Sequence, residues 1–229
     1  MKFTAVTDIF FDLDHTLWDF EINSTAALKA VISQRELTVN FDDFMSFYSK
    51  ANAFYWELFR QDKITQADLR FKRFDDVFKA LDLDFSAAYI SDFSEAYLAE
   101  MPNHNLLIPG AMELLNYLFP KYNLHIITNG FAPVQANKIK NSNIAHFFKT
   151  VTDSETTGFK KPNPIIYQYA MKQAQVQAPQ TVMVGDCIIS DVRGAQDVGM
   201  QAIWFDSETT EAPEGVLKIN HLSELKNIL

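Results

Sequence analysis

Ile9-Phe10-Phe11-Asp12-Leu13-Asp14-His15-Thr16 is the stretch on which the fold turns. Three apolar strand formers run into a carboxylate, which reads as a short buried strand with a polar exit. Beyond it, from about Glu21 to Met101, the chain reads as helix. Phe44, Phe47, Ala51, Tyr55, Leu58 and Phe59 recur at helical steps, as do Phe71, Phe74, Phe78 and Leu81. No glycine interrupts this block, and its first proline is Pro102.

After Pro109-Gly110 the pattern changes to alternation. A helix over about 111–119 precedes the apolar run Leu124-His125-Ile126-Ile127, another follows Pro133, and a short strand precedes Asp153. Residues 163–173 read as helix, and Thr181-Val182-Met183-Val184 as a strand running into Gly185-Asp186. A helix over 191–198 closes on Gly199, a C-cap residue, and 201–205 is the last clear strand. Residues 207–215 are acidic and turn-rich, as a surface loop is. Alternating strands and helices imply a parallel sheet covered on both faces. The expected fold is α/β, a doubly wound Rossmann-like core of residues 1–16 and 102–229 with an inserted all-helical domain over 17–101.

Composition narrows the partners. The chain has 229 residues, 48% hydrophobic and 21% charged, in the range of a globular protein. Twenty basic against 29 acidic residues give a net charge of −9. That balance disfavours nucleic acid, whose binding rests on phosphate neutralisation. It leaves room for a small anionic substrate in a locally positive site. The single Cys187 allows no internal disulfide and fits a reducing cytoplasm. Asp8 interrupts the N-terminal apolar run, so no signal peptide is expected. No window approaches the roughly 20 apolar residues of a membrane helix. A cytoplasmic protein, monomeric or weakly dimeric, is the expectation.

Ligands of parallel α/β sheets bind outside the carboxyl ends of the strands. Those ends collect Asp12 and Asp14, Thr128-Asn129-Gly130, the Lys160-Lys161-Pro162 loop, and Asp186 with Asp191. Carboxylates alone form a hard oxygen site suited to Mg²⁺. A hydroxyl, backbone N–H groups in a glycine turn and a lysine suit a phosphate. Each piece alone is common in turns and caps. Their order, each at a strand end, is what is specific.

Phe10-Phe11-Asp12-Leu13-Asp14-His15-Thr16-Leu17 resembles the first motif of the haloacid dehalogenase-like hydrolase superfamily. Ile127-Thr128-Asn129-Gly130 resembles its second, Lys161 before Pro162 its third, and the segment from Val184 through Asp186 to Asp191 its fourth. The helical insertion resembles the family's C1-type cap. The resemblance implies that Asp12 is the nucleophile, forming an aspartyl-phosphate, and Asp14 the general acid and then base. It implies Mg²⁺ held by Asp12, the Asp14 carbonyl, Asp186 and Asp191. Thr128, Asn129, Gly130 and Lys161 would hold the phosphoryl oxygens, with Lys160 a solvated neighbour. Dehalogenases of the superfamily lack the second aspartate, so Asp14 argues for phosphoryl transfer.

The Thr16–Phe20 stretch and 55–65 resemble the pyrimidine 5′-nucleotidase branch. The substrate this implies is a small phosphorylated metabolite, a nucleoside monophosphate. Trp18, Phe20, Tyr55 and Trp56 are the candidate specificity residues, against a background in which aromatic stripes are usually core. A sugar-phosphate phosphatase, a β-phosphoglucomutase-like mutase and a non-catalytic binder remain open alternatives. His15 reads as shaping the loop and Cys187 as structural.

Overall fold

The computed structural model describes residues 5–208 and 210–229. Six strands form one all-parallel sheet: β1 (Asp8–Phe11), β2 (Asn123–Thr128), β3 (Phe148–Asp153), β4 (Thr181–Gly185), β5 (Gln201–Phe205) and β6 (Leu217–Ile219), in the order β3-β2-β1-β4-β5-β6. The order reverses at β1, so the switch point lies between β1 and β4, where such sheets bind ligands. β1 and β4 are buried along their whole length, as central parallel strands are.

The chain divides into two compact units. One comprises the chain up to Glu21 together with Asn105–Leu229, the other Ile22–His104. Both junctions fall a few residues later than the sequence expectation, the first inside α1 (Phe20–Gln34).

In the sheet unit, Phe10, Ile127, Ile166, Tyr167, Met183, Val192 and Trp204 build a core under one face. Its helices are α5 (Ala111–Leu118), α6 (Ala132–Asn141), the short α7 (Ser154–Thr157), α8 (Pro164–Ala174) and α9 (Gly194–Asp197). Asn163 caps α8 by accepting from the Ile165 amide.

The helical unit holds most of α1, then α2 (Phe41–Arg60), α3 (Gln66–Ala80) and α4 (Ala87–Glu100). Asn40 caps α2, and Thr65 with Asp68 forms a capping box on α3. Phe44, Tyr48, Phe74, Phe78, Phe93 and Tyr97 are buried here in mutual edge or stacked contact. The aromatic stripe is thus core. Phe47 departs from the expected face and is exposed; Tyr48, its neighbour, takes the buried position.

Two other expectations need correction. Strand β5 is followed by β6, three residues too short to give an alternating signal. The helix expected over 191–198 begins earlier, with a wide π-type turn over Ile188–Arg193 that leads into α9. Among the described residues, no helix is long and apolar enough to cross a membrane.

Candidate active site

The site lies wholly within the sheet unit, at the carboxyl ends of β1, β2 and β4. Asp12 is the first residue after β1 and its amide donates to the Val184 carbonyl at 2.9 Å, which extends the pairing with β4. Asp186 is the first residue after β4. Its backbone carbonyl accepts from the Trp204 indole at 2.7 Å. Asp12, Asp186 and Asp191 each bring a carboxylate oxygen within 4.8 Å of one another.

The π-type turn explains how Asp191 gets there. Its amide donates to the Cys187 carbonyl at 2.7 Å, and its Oδ2 accepts from the Cys187 amide at 3.0 Å. The Tyr167 hydroxyl, on α8, donates to the Ser190 carbonyl and holds the turn from below. Gly185 makes the approach sterically feasible: a Cβ there would stand 2.3 Å from Cγ of Asp191. Cys187 is half-buried and serves this turn through its backbone, consistent with a structural reading.

Lys161 stands at the centre. Its Nζ donates to Asp12 Oδ1 at 2.6 Å, Asp191 Oδ1 at 2.6 Å and the Ile127 carbonyl at 2.7 Å. Its side chain is only 2% exposed. Asn129 fixes it in place: the Asn129 side chain accepts from the Lys161 amide at 2.7 Å and donates to the Lys161 carbonyl at 2.9 Å. Lys160 is half-buried, and it is Lys161 that joins the carboxylates.

Three carboxylates thus stand around one ammonium, which bonds Asp12 and Asp191 directly. Burial and the Asp191 carboxylate push Asp186 up to about 7. Burial likewise raises Asp12; Lys161 pulls it back, but Asp191 and Asp186 push it further up, and the net direction is upward. Burial alone would lower the Lys161 ammonium, yet Asp12 and Asp191 outweigh it and hold it charged. The surplus of buried negative charge, offered by oxygen donors alone, fits a hard divalent cation.

Thr128 ends β2. Its Oγ1 accepts from the Gly130 amide at 3.1 Å and from Gln135 Nε2 at 2.8 Å. With both acceptor positions taken, the hydroxyl has its own proton left to give, the polarity an anionic oxygen requires. The Gly130 amide, expected to face phosphate, is engaged with Thr128 instead. A Cβ at Gly130 would lie 2.4 Å from the Gln135 side chain, so glycine is what lets Gln135 pass.

The Asp14 carboxylate is not part of the cation cluster. A tight turn carries it: the Leu17 and Trp18 amides both donate to the Leu13 carbonyl, and His15 takes a positive φ of 62°. This fits the reading of His15 as a loop-shaping residue. Asp14 Oδ1 accepts from Lys138 Nζ at 2.7 Å and Oδ2 from Gln135 Nε2 at 2.9 Å. Sequence reasoning missed both donors. Their spacing was the available signal: Gln135 and Lys138 are three apart on the helix that follows the Asn129-Gly130 turn, hence on one face.

Of the candidate specificity residues, Trp18 is fully buried with its ring under the Lys138 ammonium, 4.1 Å from centroid to Nζ. Phe20 is half-buried beside His15. Tyr55 and Trp56 belong to the helical unit; Tyr55 is buried with its hydroxyl on Asp76, and Trp56 is half-buried.

The doubly wound sheet thus carries an acidic cluster around a buried lysine at its switch point, with an aspartate directly after its first strand. The sequence profile of haloacid dehalogenase-like hydrolases matches residues 9–205, and the chain belongs to that family. It is 30% identical over 225 residues to the pyrimidine 5′-nucleotidase YjjG of Escherichia coli K12, covering 96% of each chain. It is 34% identical over 203 residues to the glyceraldehyde 3-phosphate phosphatase of Pyrococcus abyssi, covering 86% of this chain and 80% of the relative. The crystal structure of the putative hydrolase YfnB of Bacillus subtilis, bound to magnesium, superposes with a TM-score of 0.89 at 26% identity, over 98% of this chain and 99% of that one. With such relatives the protein is an enzyme of the phosphatase kind.

Proposed function

We propose that the protein is a Mg²⁺-dependent phosphomonoesterase that works through an aspartyl-phosphate on Asp12 and acts on pyrimidine nucleoside monophosphates. The observation that carries the reading is the division of labour between two aspartates. Asp12 sits in the cation cluster with Lys161, while Asp14, two residues on, is held apart by neutral and cationic donors. In this reading Asp12 attacks and Asp14 moves a proton.

Asp12, Asp186, Asp191 and the Asp14 carbonyl would hold the Mg²⁺, which when bound screens the nucleophile from the substrate's charge and stabilises charge developing on the phosphoryl group. Lys161 keeps Asp12 oriented and offers positive charge to a phosphoryl oxygen. Thr128 donates its hydroxyl proton to another. Attack by Asp12 breaks the ester bond, and Asp14 gives the departing oxygen its proton. In the second half Asp14 takes a proton from water as water displaces phosphate from Asp12. The two-step route splits one difficult displacement into two easier ones.

The nucleotide preference rests on the likeness to YjjG and on the stretches 16–20 and 55–65. A sugar-phosphate substrate is the second reading, favoured by the likeness to the archaeal glyceraldehyde 3-phosphate phosphatase. Phosphate release from a panel of nucleotides and sugar phosphates, with Mg²⁺ or EDTA, tests both. Activity concentrated on dUMP, UMP or dTMP, abolished by EDTA and in Asp12→Asn, is the expected result. Activity confined to sugar phosphates overturns the substrate, and equal inactivity of wild type and Asp12→Asn overturns the enzyme.

A further inference from the structure

Asp14 is the residue whose surroundings the family motifs do not describe. Both of its oxygens are occupied by donors from one face of α6, Lys138 at 2.7 Å and Gln135 at 2.9 Å. Gln135 uses the same Nε2 to reach Thr128 at 2.8 Å, so one amide ties the proton-transfer group to the phosphate-binding hydroxyl. Lys138 is almost fully buried, its ammonium 4.1 Å from the Trp18 ring centroid and 5.5 Å from that of Phe20. Burying a lysine is costly, and an apolar residue would pack α6 against this loop at no such cost. The cation–π contact and the carboxylate offset that cost while fixing the ammonium in one place.

We propose that Lys138 and Gln135 are positioning residues for the proton-transfer step: together they hold the Asp14 carboxylate in the orientation from which it serves the leaving oxygen and then the hydrolytic water. The proposal rests on the phosphomonoesterase reading. It makes a kinetic statement about the two halves of the reaction. In the first, an Asp12 oxygen bonds to phosphorus, the ester P–O bond breaks with its electron pair on the leaving oxygen, and the Asp14 proton goes to that oxygen. In the second, water oxygen bonds to phosphorus, its proton goes to Asp14, and the P–O bond to Asp12 breaks with its pair returning to the carboxylate. A p-nitrophenolate leaving group needs no proton, so with p-nitrophenyl phosphate the first half proceeds without Asp14; Asp14 then gives its proton to solvent, and as the carboxylate held by Lys138 and Gln135 it still takes the proton of water in the second half.

The experiment is stopped-flow release of p-nitrophenolate and of phosphate by the full-length protein with Mg²⁺, for wild type, Lys138→Met, Lys138→Arg and Gln135→Leu. In Lys138→Met we expect a burst of one equivalent of nitrophenolate followed by turnover roughly ten- to a hundredfold slower than wild type, part of the roughly hundred- to ten-thousandfold that general acid–base assistance supplies, because Asp14 is misplaced and not removed. Gln135→Leu shows a weaker form of the same pattern, and Lys138→Arg restores much of the rate by keeping the cation. A merely structural role slows both halves together and gives no burst. That result, or turnover of Lys138→Met within threefold of wild type, overturns the proposal. Should Lys138→Met fail to fold, the burst in Gln135→Leu decides. A wild type that releases neither product from any phosphate ester overturns the functional reading instead, and the proposal falls with it.

Discussion

Replacing Lys161 by methionine keeps most of the side-chain volume and removes the ammonium that bonds Asp12 and Asp191. Three hydrogen bonds disappear with it, to Asp12 and Asp191 at 2.6 Å each and to the Ile127 carbonyl at 2.7 Å. Asp12 and Asp191 stay behind, buried, with no cation between them. Removing one partner of a buried ion pair costs about 3–5 kcal/mol, because the remaining charge is uncompensated. For a chain of this size a kcal/mol corresponds to about 2–4 °C, so the melting temperature should fall by about 6–20 °C. The measurement is thermal unfolding by circular dichroism in EDTA at pH 7.5. Two further readouts bear on the cause. The deficit should narrow at pH 5.5, since protonating Asp12, which burial already pushes upward, removes much of the repulsion. Magnesium should raise the melting temperature of Lys161→Met more than that of wild type, because a divalent cation can take over part of the ammonium's role. A fall of less than 2 °C at pH 7.5, insensitive to both pH and magnesium, would refute the view that Lys161 balances this cluster.

Other outcomes follow from the same geometry. Asp12→Asn removes one of three carboxylates standing around that ammonium, so it should abolish phosphate release while melting no lower than wild type in EDTA; a large destabilisation would contradict the charge surplus. Gly185→Ala places a Cβ 2.3 Å from Asp191 Cγ. We expect a loss of about 1–3 kcal/mol from overpacking, seen by denaturant unfolding, and a higher magnesium concentration for half-maximal activity. Asn129→Ala removes both hydrogen bonds to the Lys161 backbone and should lower kcat without abolishing it, in a steady-state assay. His125, buried between Asp8 and Thr150, is pushed below its ordinary value by burial, which outweighs the pull of Asp8. Well above pH 6.5 neither folded nor unfolded imidazole is charged; as pH falls through about 6.5 the unfolded chain takes a proton that the folded one refuses, costing up to about 1.4 kcal/mol per pH unit. Asp186, raised to about 7, slopes the other way in EDTA. The His125 contribution is therefore read as the difference between wild type and His125→Gln in urea midpoint, which should shrink as pH falls from 6.5 to 5.5.

Much of the architecture was legible in the sequence because its causes are local. A run of apolar strand formers ending in a carboxylate marked β1, and the change from helical spacing to alternation near Pro109-Gly110 marked where the sheet resumes. The order of the strand-end residues was enough to identify the family and to nominate Asp12, Asp14, Thr128, Lys161, Asp186 and Asp191. Chemistry-bearing residues are readable in this way when a fold places them at positions fixed by secondary structure, at or beyond the carboxyl ends of strands.

What only the tertiary structure decided is how those residues are held. Nothing in the spacing of Lys160 and Lys161 says which of the two reaches the carboxylates; that depends on the loop's path, which the side chain of Asn129 fixes from another strand end. The wide turn over Ile188–Arg193 depends on the Tyr167 hydroxyl of α8. Gln135 and Lys138 look like solvent-facing helix residues in sequence, and become part of the site only because α6 lays that face against Asp14, 121 and 124 residues away along the chain. The sequence determined which residues end the strands, because hydrophobic period and turn chemistry are local. Which side chains support them is set by packing between distant segments, and that is a property of the folded chain.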